Sequence, residues 1–223
     1  MRLASIVLLS ALIAAPIAAP VAAPVAAQTT SAPSGPLPMA HPLQRLAAEQ
    51  MVILPVQYLT FADSLGWSES VPSTRSYLNT VDNEIAFALT QRGLKGRWTM
   101  APDLERSVAR NQGYAPDPRD LTAGEVRSAA ATREWQLHEP LASQLRSLIA
   151  LTDARYVLFP VEMRITGSHG YGHATLHLVI IDARRSQVQW AGDLSGEPMA
   201  KFSPAIAADI ASRLGDLIAA PIE

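Results

Sequence analysis

The chain has 223 residues, 18 Lys and Arg against 20 Asp and Glu, a formal charge of −2 and no cysteine. Near-neutral charge without a basic cluster argues against nucleic acid as a partner. The missing cysteine excludes disulfides, thiol chemistry and a lipid-anchored cysteine behind a leader.

Arg2 precedes an apolar run from Leu3 to about Ile17, and Val25-Ala26-Ala27 supplies small residues before Gln28. Charged end, apolar core and small-residue site are the order of a secretory signal. Pro16, Pro20 and Pro24 interrupt the run, which argues against a lasting membrane span. The expectation is a cleaved signal over 1–27 and a flexible Pro/Ser/Ala-rich tether over 28–45. One α/β domain over 46–223 follows, and no span remains after cleavage. The mature protein is then soluble, periplasmic or secreted, and not a lipoprotein.

Met51 to Tyr58 is a short apolar run, read as a buried strand. Pro55 cannot donate to a ladder and implies an edge or a bulge there. Phe61 to Ser73, with Gly66 and Pro72, reads as a loop. Arg75 to Arg92 carries Leu78, Val81, Ile85, Ala88 and Leu89 at helical spacing, with Gly93 as the stop. Arg97 to Met100 suits a short strand, and Pro102 opens a second helix that Gly113 ends. Tyr114 to Leu137 resembles an insertion, in which Asp117 suits a turn and Asp120 caps a short helix running through Ala131.

Pro140 begins a helix whose inner face is Leu141, Leu145, Leu148 and Ile149. Tyr156 to Ile165 reads as a strand. Its later half alternates Val161, Met163 and Ile165 with Glu162 and Arg164, which predicts one wet face. Ala174 to Asp182 and Gln187 to Leu194 complete a meander, with Val188 and Trp190 facing inward. A last helix follows Ser203-Pro204, its apolar face formed by Ile206, Ile210, Leu214, Leu217 and Ile218. The predicted fold class is α/β (α+β). It has a single mixed sheet of about 4–5 strands, ends in an antiparallel meander and is flanked by helices. The first strand joins through a crossover that carries the first helix.

These motifs, in this order, resemble the α/β domain shared by CsgG, the penicillin-binding-protein activator LpoB and the N-terminal domain of TolB. Val52-Ile53-Leu54-Pro55-Val56 is similar to "VAVLPF", and Ile85 through Gly93 to "LAxALxxRG". Asp103-Leu104-Glu105-Arg106 running to Gly113 is similar to "DLERxLxEQG". Thr152 through Leu158 resembles "LGADYVLxG", and Leu178 through Gly192 resembles "LxLVDxRTGxVxWxG". The likeness spans most of residues 51–218. It implies a protein–protein adaptor of the cell envelope. Two departures stand: no lipid-bearing cysteine, and no strand pair long enough for a transmembrane barrel.

The sharpest chemical candidates are His169, His173 and His177, in the Gly/His stretch 167–177. Four strand residues span roughly 13 Å at about 3.3 Å each, too far for a shared ion unless the chain bends. Ser68 with His138 and Asp103 has triad chemistry, but Ser68 lacks the G-x-S-x-G turn. Trp67, Trp135 and Tyr114 stand near element ends and are the interface candidates. The first reading is an exported, non-enzymatic periplasmic accessory protein that binds an envelope protein. It uses no cofactor and has no assigned metal, and a homo-oligomer is left open. The alternative is a small-ligand or metal-binding protein using the 167–177 stretch, and a hydrolase ranks last.

Overall fold

The computed structural model describes residues 43–127 and 135–219. The signal, most of the tether and residues 128–131 of the expected short helix lie outside them. No helix of the described residues is long and apolar enough to cross a membrane.

The first strand is broken by proline. β1 (Met51–Ile53) and β2 (Tyr58–Asp63) both run parallel to β5 (Tyr156–Ser168), Met51 beside Tyr156 and Tyr58 beside Glu162. Pro55 and Pro160 both lack an N–H, and the β5 register slips by one between Pro160 and Glu162. The expectation of a loop from Phe61 is corrected, because the strand resumes after the proline break and continues to Asp63.

Among the described residues the sheet has seven strands in the order β3-β1-β5-β6-β7-β4, with β2 also on β5. β3 is Trp98–Thr99, β4 is Trp135–Gln136, β6 is Tyr171–Asp182 and β7 is Gln187–Ser195. This exceeds the expected 4–5 strands because β2 is a separate piece and β4 adds two residues antiparallel to β7.

Among the described residues, two α-helices cover one face and three the other. α1 (Thr74–Gln91) and α5 (Ala205–Ile218) pack on Leu158, Met163, Ile165, Leu176, Leu178 and Ile180. α2 (Ala101–Arg110), α3 (Gly124–Arg127) and α4 (Leu141–Ala150) cover Val157, Phe159, Val161, Val179 and Ile181. Each buried Leu, Ile or Val contributes about 1.5–3 kcal/mol. The α1 stripe predicted from spacing is buried, and Ser73 caps that helix by accepting from Ser76 N–H at 3.3 Å.

α1 and α5 are also clasped. Arg92 donates to Ala88 O at 2.9 Å, to Ser212 O at 3.0 Å and to Asp216 Oδ1 at 2.5 Å. A Cβ on Gly215 would meet the Arg92 guanidinium, so a larger residue there would displace Arg92 from this clasp.

Two local readings change. The β5–β6 connection is a two-residue turn, His169 (φ 54°) and Gly170 (φ 83°), with Ser168 paired to Tyr171. Two positive φ values match the strand twist, so the ladder runs further into the Gly/His stretch than its glycines suggest. In β7, Ile180 pairs with Trp190 but Ile181 pairs with Val188, a one-residue bulge. It places Val188 in the core under α4 and Trp190 against the core under α1 and α5, rather than both on one inner face.

Candidate functional site

At the proline break the backbone turns to side chains for partners. Val56 N–H donates to Asp82 Oδ1 at 3.0 Å. Asp82 Oδ2 lies 2.7 Å from Arg119 Nη2, both side chains are buried, and Arg119 also pairs with Glu105. Burial pushes the Asp82 carboxyl up to about 6, against the Val56 N–H and the Arg119 charge, which lower it. Gln57 Nε2 donates to Pro55 O at 2.8 Å and to Pro118 O at 2.9 Å, and Leu121 N–H donates back to Gln57 Oε1 at 3.4 Å. The apparent insertion is thus fastened over the strand break, and Asp117 makes the expected turn by accepting from Arg119 N–H at 2.9 Å.

Above the break, a polar cluster covers the α3 side of the sheet. Glu162 is buried, not on a wet face. Its Oε1 accepts from Thr60 Oγ1 at 2.5 Å and from Arg127 Nη2 at 2.5 Å, and its Oε2 accepts from Arg164 Nε at 3.1 Å. Burial alone would raise its pKa. The hydrogen bonds from Arg127, Thr60 and Arg164, with the Arg127 charge, instead bring it down to about 2. Arg127 also lies over the Tyr58 ring, 4.6 Å from its centroid.

His177, the β6 neighbour of Glu162, is buried too. Its Nδ1 is 2.6 Å from Asp193 Oδ1 and its Nε2 is 3.2 Å from Val126 O. Both partners are hydrogen-bond acceptors, one from β7 and one from α3. The histidine ties α3 to the sheet.

Among the described residues β2 has one of the two longer unpaired outer edges; the other belongs to β7 beyond Val188, because β4 pairs only with Gln187 and Val188. Ser64 N–H donates to Gly167 O at 3.2 Å. By the two-residue alternation of a ladder, Tyr58, Thr60 and Ala62 turn their backbone groups to β5, and Leu59 and Phe61 turn theirs outward. Among the described residues no strand pairs with that outer edge. β3 ends one side of the sheet with two residues, a common protection against edge pairing, while β4 covers only Gln187 and Val188 of β7, whose later edge carries the charged Asp193. β2 has six residues, YLTFAD, with neither Lys nor Pro.

The sequence candidates fall in different places. Trp67 is 6% exposed, meets Phe202 at 5.8 Å between ring centroids and fills the space over Gly172. Trp135 is half-buried against the α4-side core, in β4. Tyr114 is 79% exposed. His169 lies in the turn, His173 Nε2 is 3.3 Å from Thr166 Oγ1, and His177 is engaged below. Among the described residues no His, Cys, Asp and Glu group suited to a metal forms. His138 Nδ1 meets Glu125 Oε2 at 2.9 Å and Asp103 pairs with Arg106, so the hydrogen bonds of this set do not run to Ser68. Sequence reasoning missed β2, Arg127 and the burial of Glu162. The alternation of Leu59 and Phe61 with Thr60 and Ala62 was the available signal.

No family model matches the chain, and no curated protein does. Several solved structures are similar in fold. An NMR structure of E. coli LpoB is 14% identical, with TM-score 0.36, over 85% of this chain and 84% of that one. Lipoprotein GNA1162 from Neisseria meningitidis is 12% identical, with TM-score 0.36, over 75% of this chain and 96% of that one. A PelC dodecamer from Paraburkholderia phytofirmans is 15% identical, with TM-score 0.31, over 78% and 90%. None of these three is a CsgG or a TolB structure. At such identity and superposition the likeness says nothing of what this chain binds.

Proposed function

We propose that the chain is an exported, non-enzymatic accessory protein that binds another protein of the cell envelope by adding a strand of that partner to β2. The observation that carries this reading is the outer edge of β2, six residues long, with Leu59 and Phe61 on one face, and unpaired among the described residues. Such an edge is an aggregation hazard unless a partner uses it, and main-chain pairing along it gives affinity. The leader pattern of residues 1–27 supports export, and the missing cysteine supports a soluble rather than lipid-anchored mature form. The tether over 28–45 and the domain over 46–223 belong to the same reading, as does kinship with the CsgG, LpoB and TolB N-terminal group, which rests on the sequence motifs.

The test is in-cell photo-crosslinking of the tagged mature protein. One set carries the crosslinking residue at Ala62, on β2, and another at Glu84, on the opposite helical layer. A single stoichiometric envelope protein captured from position 62 and not from 84 is the expected result. Capture from 84 alone contradicts the reading.

A further inference from the structure

The chemistry beside β2 specifies what kind of strand it accepts, provided that the edge is the partner site. Thr60 and Ala62 are two residues apart and so share the face that carries Glu162, Arg164, Thr166 and His173. That face carries two cations, Arg127 and Arg164, and two anions, Glu162 and Asp193. Arg127 and Arg164 both donate to the one Glu162 carboxylate, while Asp193 is held by His177 at 2.6 Å and sits 3.9 Å from Arg164. The Arg127 side chain is 43% exposed, next to Thr60, its Nη2 3.1 Å from Thr60 Oγ1. An incoming side chain beside Thr60 therefore meets an exposed guanidinium whose hydrogen bonds among the described residues are all made by Nη2.

The next position on the same face is different. Ala62 is small, and with Thr166, Gly167, Tyr171 and His173 it lines a hollow of about 250 Å³. Tyr171 is 59% exposed there. A side chain on a paired strand stands about 4.5–5.5 Å from its cross-strand neighbour, within reach of this hollow. The other face offers Leu59 and Phe61, both half-buried against the α1-side core.

We propose that β2 binds an extended protein segment with an acidic side chain beside Arg127 and, two residues away, an aromatic or large aliphatic side chain in the hollow of Ala62, Thr166, Tyr171 and His173. The residue between them is apolar and lies against Leu59 and Phe61. A second copy of this chain fits poorly. An antiparallel two-fold pairing through Thr60 would set Arg127 against its own symmetry mate, like charge against like.

The experiment is selection of phage-displayed random heptapeptides on the immobilised mature protein, with thermal unfolding of each variant measured first. The expected winners alternate, with Asp or Glu two positions from an aromatic or Leu. Their affinity falls at least tenfold with Arg127→Gln, which removes the charge, and with Ala62→Trp, which fills the hollow. Arg127→Lys retains the acidic preference, and N-methylation of alternate peptide amides abolishes binding. Winners without an acid, winners indifferent to both substitutions, or no winners at all overturn the proposal. So does a β2-dependent dimer in ultracentrifugation, which would put a second copy on the edge. If photo-crosslinks form at position 62 while the selection fails, only this inference falls. If they form solely at position 84, the edge reading falls with it.

Discussion

Replacing Arg119 by Met is expected to destabilise the protein by about 3–5 kcal/mol, the range for breaking a buried ion pair by removing one partner. Asp82 would keep its Val56 N–H but lose the guanidinium 2.7 Å away. Burial already raises Asp82 to about 6, so without Arg119 the carboxylate is held against its solvation and takes up a proton. For a domain of this size each kcal/mol shifts the melting temperature by roughly 2–4 °C. The double variant Asp82→Asn/Arg119→Met keeps an acceptor for Val56 and removes both charges, and it should recover most of the loss. Arg119 Nη1 is buried without a hydrogen-bond partner, so the pair itself is imperfectly satisfied. Urea unfolding of the two variants checks this. A single variant within about 1 kcal/mol of the parent would contradict the role given to Arg119.

Glu162→Gln is expected to cost about 2–3 kcal/mol at neutral pH. A fall from the usual 4.5 to about 2 corresponds to roughly 3 kcal/mol at 1.36 kcal/mol per pKa unit. That figure is an upper bound, because Arg127 and Arg164 are partly exposed and regain water when the carboxylate goes. The pH dependence follows in sign. Glu162 has a lowered folded pKa, so its contribution is complete above about 4.5 and is lost as pH falls toward about 2. Asp82 has a raised folded pKa. Its contribution is complete below about 3.8 and is lost as pH rises through about 6. The parent should thus lose stability on acidification below about 4.5, and Glu162→Gln should flatten that limb and leave the Asp82 window unchanged. Unfolding midpoints at stepped pH read both.

The helices and the meander were legible because their apolar residues recur at periods set by the backbone. Leu78, Val81, Ile85 and Leu89 could form only one stripe, and Ile206, Ile210 and Leu214 another. What escaped were events of one residue. Pro55 disguised the path from Met51 to Asp63 as a strand and a loop, since a period of two does not survive the break between β1 and β2. The bulge at Gln189, beside Trp190, did the same to Val188. Alternation also assigned Glu162 to a face without saying what lies over it. Arg127 and Thr60 come from elements 35 and 102 residues away in sequence, and no local pattern announces them. Aromatic residues near element ends mark interfaces by side chain alone, a signal blind to backbone edges. Trp67 is instead taken up by Phe202 and Gly172.

The most direct measurement of the central claim is amide hydrogen exchange of the mature protein, residue by residue, with and without the envelope protein captured at position 62. Leu59 and Phe61, whose amides face outward, should exchange freely alone and become strongly protected in the complex. Tyr58, Thr60 and Ala62 should be protected in both. Protection confined to other surfaces, with Leu59 and Phe61 exchanging as before, would contradict strand addition at β2.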